Sequence, residues 1–128
     1  MKTFPTSLYC YLTNESGTAT SNVSNISITC GTAKVYAGGY STNSSSVLIP
    51  GYWKNGTWTA LSQLDSSKSA LVKCIFVSGT DVYASGYSTN SSNVQVAGYW
   101  KNGTWTSLSQ IDTSKNSSGE AIFVSCGR

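Results

Sequence analysis

Gly51-Tyr52-Trp53-Lys54-Asn55-Gly56-Thr57-Trp58-Thr59 returns further along the chain as Gly98-Tyr99-Trp100-Lys101-Asn102-Gly103-Thr104-Trp105-Thr106. The residues around the two copies repeat with the same period, about 47 residues, which signals an architecture of stackable supersecondary units. Asn-Gly at the centre of each copy predicts a two-residue hairpin turn, because both turn positions require positive φ and this pair supplies it at little cost. The residues on either side then belong to antiparallel strands. Tyr52 and Trp53 point to opposite faces, and Trp58 packs across the hairpin near Trp53.

Working outward, residues 35–81 and 82–128 are two copies of one unit, identical at roughly 30 of about 47 positions. Residues 1–34 hold a worn or partial copy. In it Asn25-Ile26-Ser27-Ile28-Thr29-Cys30-Gly31 occupies the place of Lys73-Cys74-Ile75-Phe76-Val77-Ser78-Gly79, and Ser7-Leu8-Tyr9-Cys10-Tyr11-Leu12 is apolar and strand-like without a clear match. Within the second unit the pattern predicts strands over 71–78, 81–87, 94–101 and 104–111. Gly79-Thr80-Asp81 serves as a tight connection and Ser88-Thr89-Asn90-Ser91-Ser92 as a polar loop. Residues 121–125 would open a further copy.

Charged residues make up 10% of the 128-residue chain and the net charge is +3. Ser, Thr, Asn and Gly take the place of the usual charges. Ser, Thr and Asn disfavour helix, because their side chains compete for backbone hydrogen bonds, and such a surface is common in secreted and cell-surface β proteins. The lysines are scattered, so the clustered basic footprint of a nucleic-acid binder is missing. No apolar run is long enough for a membrane span. Pro5 and polar neighbours interrupt any apolar core of a signal peptide at the start. A removed signal, a piece of a longer chain, or another export route would each account for this.

Cys10, Cys30, Cys74 and Cys126 permit two disulfides. They fall out of register with the repeat, so burial as small apolar residues is an equal reading. With no histidine in the chain, a His-based triad or metal site is excluded. The five carboxylates show no pairing of the kind a glycosidase needs, and neither catalysis nor a cofactor is expected.

Four antiparallel strands per unit, connected up and down, describe a propeller blade. Val82-Tyr83-Ala84-Ser85-Gly86-Tyr87 followed by Gly98-Tyr99-Trp100-Lys101-Asn102-Gly103 resembles the β-propeller superfamily. It is similar to blade repeats of secreted bacterial proteins of unassigned function, over about residues 21–128. The Gly-His and Trp-Asp pairs of WD repeats and the Kelch double glycine are absent at the matching places. The resemblance therefore implies a fold but no partner.

On this reading, residues 21–67 form blade one, 68–114 blade two, 115–128 the inner strand of a further blade, and 1–20 a partial blade strand that closes or links. The expected fold is all-β and propeller-like, with an incomplete ring in one chain. Completion could come from the N-terminal segment, from head-to-tail assembly of copies, or from further blades of a longer chain.

A ligand face would use the aromatic and polar residues that recur near the loops: Tyr40, Asn43, Asp65 and Lys68, and their copies Tyr87, Asn90, Asp112 and Lys115. Tyr rings suit the apolar faces of sugars, and Asn, Asp and Lys can hydrogen-bond a neutral polar ligand. The same residue types cap turns. The function expected first is a non-enzymatic, extracellular or cell-surface, lectin-like module that binds a glycan or protein partner multivalently. The alternative is a structural subunit that joins copies into a ring or filament. Asn14, Asn22, Asn25, Asn43, Asn55, Asn90, Asn102 and Asn116 all stand in Asn-X-Ser/Thr sequons, although Asn55 and Asn102 already have a turn reason to be present.

Overall fold

The computed structural model describes residues 31–126. They are all-β. Strands β1 (Tyr36–Thr42), β2 (Leu48–Lys54) and β3 (Thr57–Ala60) form one antiparallel sheet in that order. Strands β4 (Ala70–Ser78), β5 (Asp81–Thr89), β6 (Gln95–Lys101) and β7 (Thr104–Ser107) form a second, also a simple meander. Both sheets lie in one compact unit that begins at Lys34. There is no helix and no closed ring among the described residues. The strand-like stretch at 7–12, and all but Gly31 of the match proposed for residues 25–31, lie outside them.

The repeated motif builds each hairpin residue by residue. Asn55 and Gly56 have φ of 51° and 86°, and Asn102 and Gly103 have 50° and 91°, the left-handed pair of a type I′ turn. The asparagine does a second job. Its Oδ1 accepts an amide at the start of the neighbouring strand, Val35 N–H just before β1 at 2.9 Å and Val82 N–H in β5 at 2.8 Å, so the turn is tied across to that strand.

Trp53 pairs with Trp58 in the ladder and their ring centroids are 4.6 Å apart; Trp100 and Trp105 repeat this at 4.5 Å. The tilted rings add about 0.5–1.5 kcal/mol beyond the area they bury. Gly51 and Gly98 open the motif because the second indole lies over them. A Cβ at either position would run into Trp58 or Trp105 and the carbonyl of Thr59 or Thr106. The motif lysines lie over Tyr36 and Tyr83, with Nζ 5.8 and 5.7 Å from the ring centroids.

Two strand ends differ from expectation. β5 runs on to Thr89, so Ser88 belongs to the strand and is fully buried, whereas the sequence places it in a loop. β7 stops at Ser107 instead of reaching Ile111. The first sheet shows why: after β3 the chain leaves the ladder and crosses to the next sheet. Residues 121–125, expected to open a further inner strand, form no strand.

The core sits between the sheets. The ladder register puts Val72, Ala84, Gly86, Ser88, Gly98 and Trp100 on one face of the second sheet. That face is covered by the Tyr52 face of the first sheet and by the linker after β3. Leu61, Ala70, Val72, Ala84 and Trp100 form a buried cluster, with Tyr52 and Trp105 packed against it. Gly38 lets β1 close onto β4, since a Cβ there would lie 2.7 Å from Val72 Cγ1.

The other face of the second sheet, the Tyr99 face, carries residues 117–125. Phe123 packs on Phe76 with centroids 5.5 Å apart, and Gly119 N–H donates to Gly86 O at 3.0 Å. Here the pairing of small and large residues is inverted, with Ser85 in place of Gly38 and Gly119 in place of Val72. Cys74 is half-buried and Cys126 exposed, and both are unbridged. Lys73 and Glu120 form an ion pair at 3.7 Å, with both side chains well exposed, where such pairs contribute little.

Gly98→Ala is expected to lower stability by about 1–3 kcal/mol, the usual cost of overpacking, because Trp105 must leave its seat. A urea-denaturation midpoint equal to that of the wild type would show that the indole does not need the bare glycine.

Candidate functional site

The expected Asn, Asp and Lys residues lie in the loops and linkers, the two tyrosines lie on β1 and β5, and the Oδ1 atoms of the asparagines and aspartates are already used. Asn43 Oδ1 accepts Ser45 N–H at 2.8 Å and Val47 N–H at 3.0 Å. Asn90 Oδ1 accepts Ser92 N–H at 2.9 Å and Val94 N–H at 3.0 Å. Each asparagine therefore holds its own loop in a turn.

Asp65 and Asp112 do the same in the linkers. Their Oδ1 atoms accept Ser67 and Ser114 hydroxyls at 2.6 Å, and the amides of the same serines at 2.9 and 2.8 Å. Lys68 and Lys115 contribute through the backbone, donating N–H to the carbonyls of Asp65 and Asp112 and accepting Gln63 and Gln110 side-chain amides. Tyr40 stands opposite Pro50 at the end of β1, with 46% of its surface exposed, and Tyr87 is half-buried on β5.

Ser69 draws part of this set together. Its hydroxyl accepts Leu48 N–H at 3.0 Å, just after the Asn43 loop, and its carbonyl accepts Thr89 N–H at 3.1 Å, just before the Asn90 loop. The linker end with Lys68 thus lies between the two asparagine loops. In the second unit Gln95 N–H donates to Asn116 Oδ1 at 2.9 Å and Ser117 N–H to Gln95 O at 2.8 Å, which places the Lys115 end beside the Asn90 loop. No hydrogen bond joins Tyr40 or Tyr87 to these polar residues among those described. Of the sequon asparagines, Asn43, Asn55, Asn90, Asn102 and Asn116 all have their side-chain oxygens engaged in these turns and linkers.

The more constrained place is the seam between the sheets. Trp100 is 1% exposed, and its Nε1–H donates to Ser62 O at 2.8 Å. Leu64 N–H donates to Ser88 Oγ at 2.8 Å, and Ser62 Oγ–H to Gly103 O at 3.2 Å. The linker of the first unit is thereby laid across the face of the second sheet. The repeated hairpin marks Trp100 in the sequence, but Ser62 is unmarked there and Ser88 is expected in a loop. The available signal was Ser88 itself, which continues the inward alternation of Val82, Ala84 and Gly86.

Hydrogen bonding holds Asp112 below the ordinary aspartate value of 3.8, the Ser114 hydroxyl first and its amide second, while desolvation acts the other way. Asp65 is lowered by Ser67 in the same order, opposed by desolvation, with a smaller lowering contribution from Lys68. Comparison with family models, with curated proteins and with solved structures returns no match to the chain.

A lowered folded-state pKa means that these aspartates stabilise the fold above 3.8 and lose that contribution as pH falls through the lowered value. In a carboxyl NMR titration both should show midpoints below 3.8. Ser114→Ala should move Asp112 back up and leave Asp65 in place. A wild-type Asp112 that titrates at the ordinary value would remove the hydroxyl–carboxylate bond.

Proposed function

We propose that the chain is a non-enzymatic, propeller-like repeat module that works as a structural subunit, with its blades stacking head to tail across copies in an extracellular or cell-surface setting. The observation that carries this reading is the kind of contact the two sheets make. The Tyr52 face and linker of one sheet meet the Trp100 face of the next. A contact between two different surfaces of similar units propagates. It gives a ring where the rotation closes and a filament where it does not. The low charge and the neutral hydroxyl and amide surface support the extracellular setting. Ligand recognition ranks second because Asn43, Asn90, Asp65 and Asp112 each use their Oδ1 inside their own loops.

Mass in solution tests the proposal. Sedimentation across a range of concentrations should give either one discrete oligomer, for a ring, or an open-ended distribution, for a filament. A single-chain mass at every concentration overturns it.

One observation keeps the glycan or protein-binding reading in view: the Tyr40 ring is nearly half exposed beside the Asn43 loop. If that ring stacks on a sugar, Tyr40→Ala should abolish signal on a glycan array while the thermal melt stays unchanged. Equal binding by the variant removes the site.

A further inference from the structure

The linker residues and the indole face that make the seam have counterparts one period away on surfaces that are open. On the linker side, Leu61, Ser62 and Leu64 correspond to Leu108, Ser109 and Ile111. Leu61 is 6% exposed in the seam, whereas Leu108 is 45% and Ile111 fully exposed. On the receiving side, Ala84, Ser88, Trp100 and Gly103 correspond to Ala37, Ser41, Trp53 and Gly56. Ala84, Ser88 and Trp100 are buried, while Ala37 and Ser41 are exposed and Trp53 is half-buried. Trp53 Nε1 and Ser41 Oγ have no hydrogen-bond partner among the described residues, although their counterparts each hold one at 2.8 Å. One chain therefore presents both halves of the same joint, apolar surface and polar atoms alike.

We infer that residues 108–115 of one copy dock on the Trp53 face of a second copy, reproducing the internal seam. This rests on the head-to-tail reading and names its contact. Leu108 enters the pocket bounded by Trp53 and Ala37. Trp53 Nε1–H donates to Ser109 O, Ile111 N–H to Ser41 Oγ, and Ser109 Oγ–H to Gly56 O. The occupant is a second copy because the linker carries the matching residues in the matching order: Leu-Ser at 108–109 is identical to Leu-Ser at 61–62, and Ile111 replaces Leu64. Orphaned polar groups cost more than unmade apolar contacts when buried, so a partner without these donors and acceptors would fit this face poorly.

Two single-sided variants test the joint. Ser41→Arg blocks the receiving face and Leu108→Asp blocks the linker. Both positions are exposed, and circular dichroism with a thermal melt checks that each variant folds. Ala37→Arg and Ile111→Glu form a second pair, used if either of the first fails to fold. Each variant alone should sediment as a single chain where the wild type assembles. An equimolar mixture should give a dimer and nothing larger, since each partner keeps one intact half. Variants that assemble like the wild type would place the joint elsewhere and leave the head-to-tail reading standing. Loss of assembly without rescue on mixing would replace this joint with a like-to-like contact. A wild type that never assembles overturns both readings.

Discussion

The structure depends on a buried indole with a polar handle. Trp100 places its ring between Trp105 and the linker residue Leu61. Removing so large a buried side chain typically costs about 3–5 kcal/mol, a large share of the stability of a domain this size. Burial also takes its N–H out of water, and an unpaired buried donor is costly. The acceptor is a main-chain carbonyl, Ser62 O. The ring therefore fixes the path of the chain after β3. Once Ser62 is held there, Leu64 falls against Ser88, Ser69 reaches Leu48 and Thr89, and β4 begins beside β5. The stacking of the sheets follows from satisfying one side-chain donor.

The two units differ in ways that keep this arrangement satisfied. Leu48 N–H is met by a Ser69 hydroxyl and its counterpart Gln95 N–H by the Asn116 amide oxygen. Ala97 N–H donates to Ser117 Oγ at 2.8 Å. The corresponding pair in the first unit is Pro50 with Ala70, both fully buried. Proline has no amide hydrogen and alanine no hydroxyl, so donor and acceptor are missing together. Replacing both members of a buried pair by apolar groups is nearly neutral, whereas replacing one strands the other. The exchange of Gly38 and Val72 for Ser85 and Gly119 keeps volume in the same paired way. The Ser85 hydroxyl from this exchange, and the hydroxyl of Ser118 beside Gly119, are buried without partners, making that contact a weaker copy of the first.

Much of the architecture was legible in the sequence because it rests on local chemistry. Asn-Gly specifies a left-handed turn pair, alternating Val, Tyr and Ala specify strands, and an exact repeat of the motif specifies two sheets of one kind. Trp58 beside Trp53 followed from the hairpin register alone. The seam was not legible in this way. Ser62 contributes its carbonyl, which every residue has, and Ser88 is buried only because another chain segment crosses it. Ser and Thr serve equally as strand and loop residues, so the ends of β5 and β7 were set by tertiary contact and not by propensity. Of the candidate ligand residues, Tyr40 and Tyr87 lie on strands, and the asparagines, aspartates and lysines lie in loops and linkers. Their employment there, capping amides at Asn43, Asn90, Asp65 and Asp112, is the ordinary use of such side chains and carries no ligand information.

The low charge of the chain bears on how its surfaces recognise one another. The contacts that join the two sheets are neutral throughout: an indole N–H on a carbonyl, amides on serine hydroxyls, and apolar side chains in a shared cluster. Like-charge repulsion, the usual means of rejecting a wrong partner, is nearly absent from a chain with 10% charged residues. Selectivity must then come from shape and from the cost of burying an unmatched donor or acceptor. The GYWKNGTW hairpin accordingly serves as a joint before it serves as a site. Its tryptophan supplies both the area and the directional hydrogen bond, and its glycines leave room for the second indole that holds the first in place.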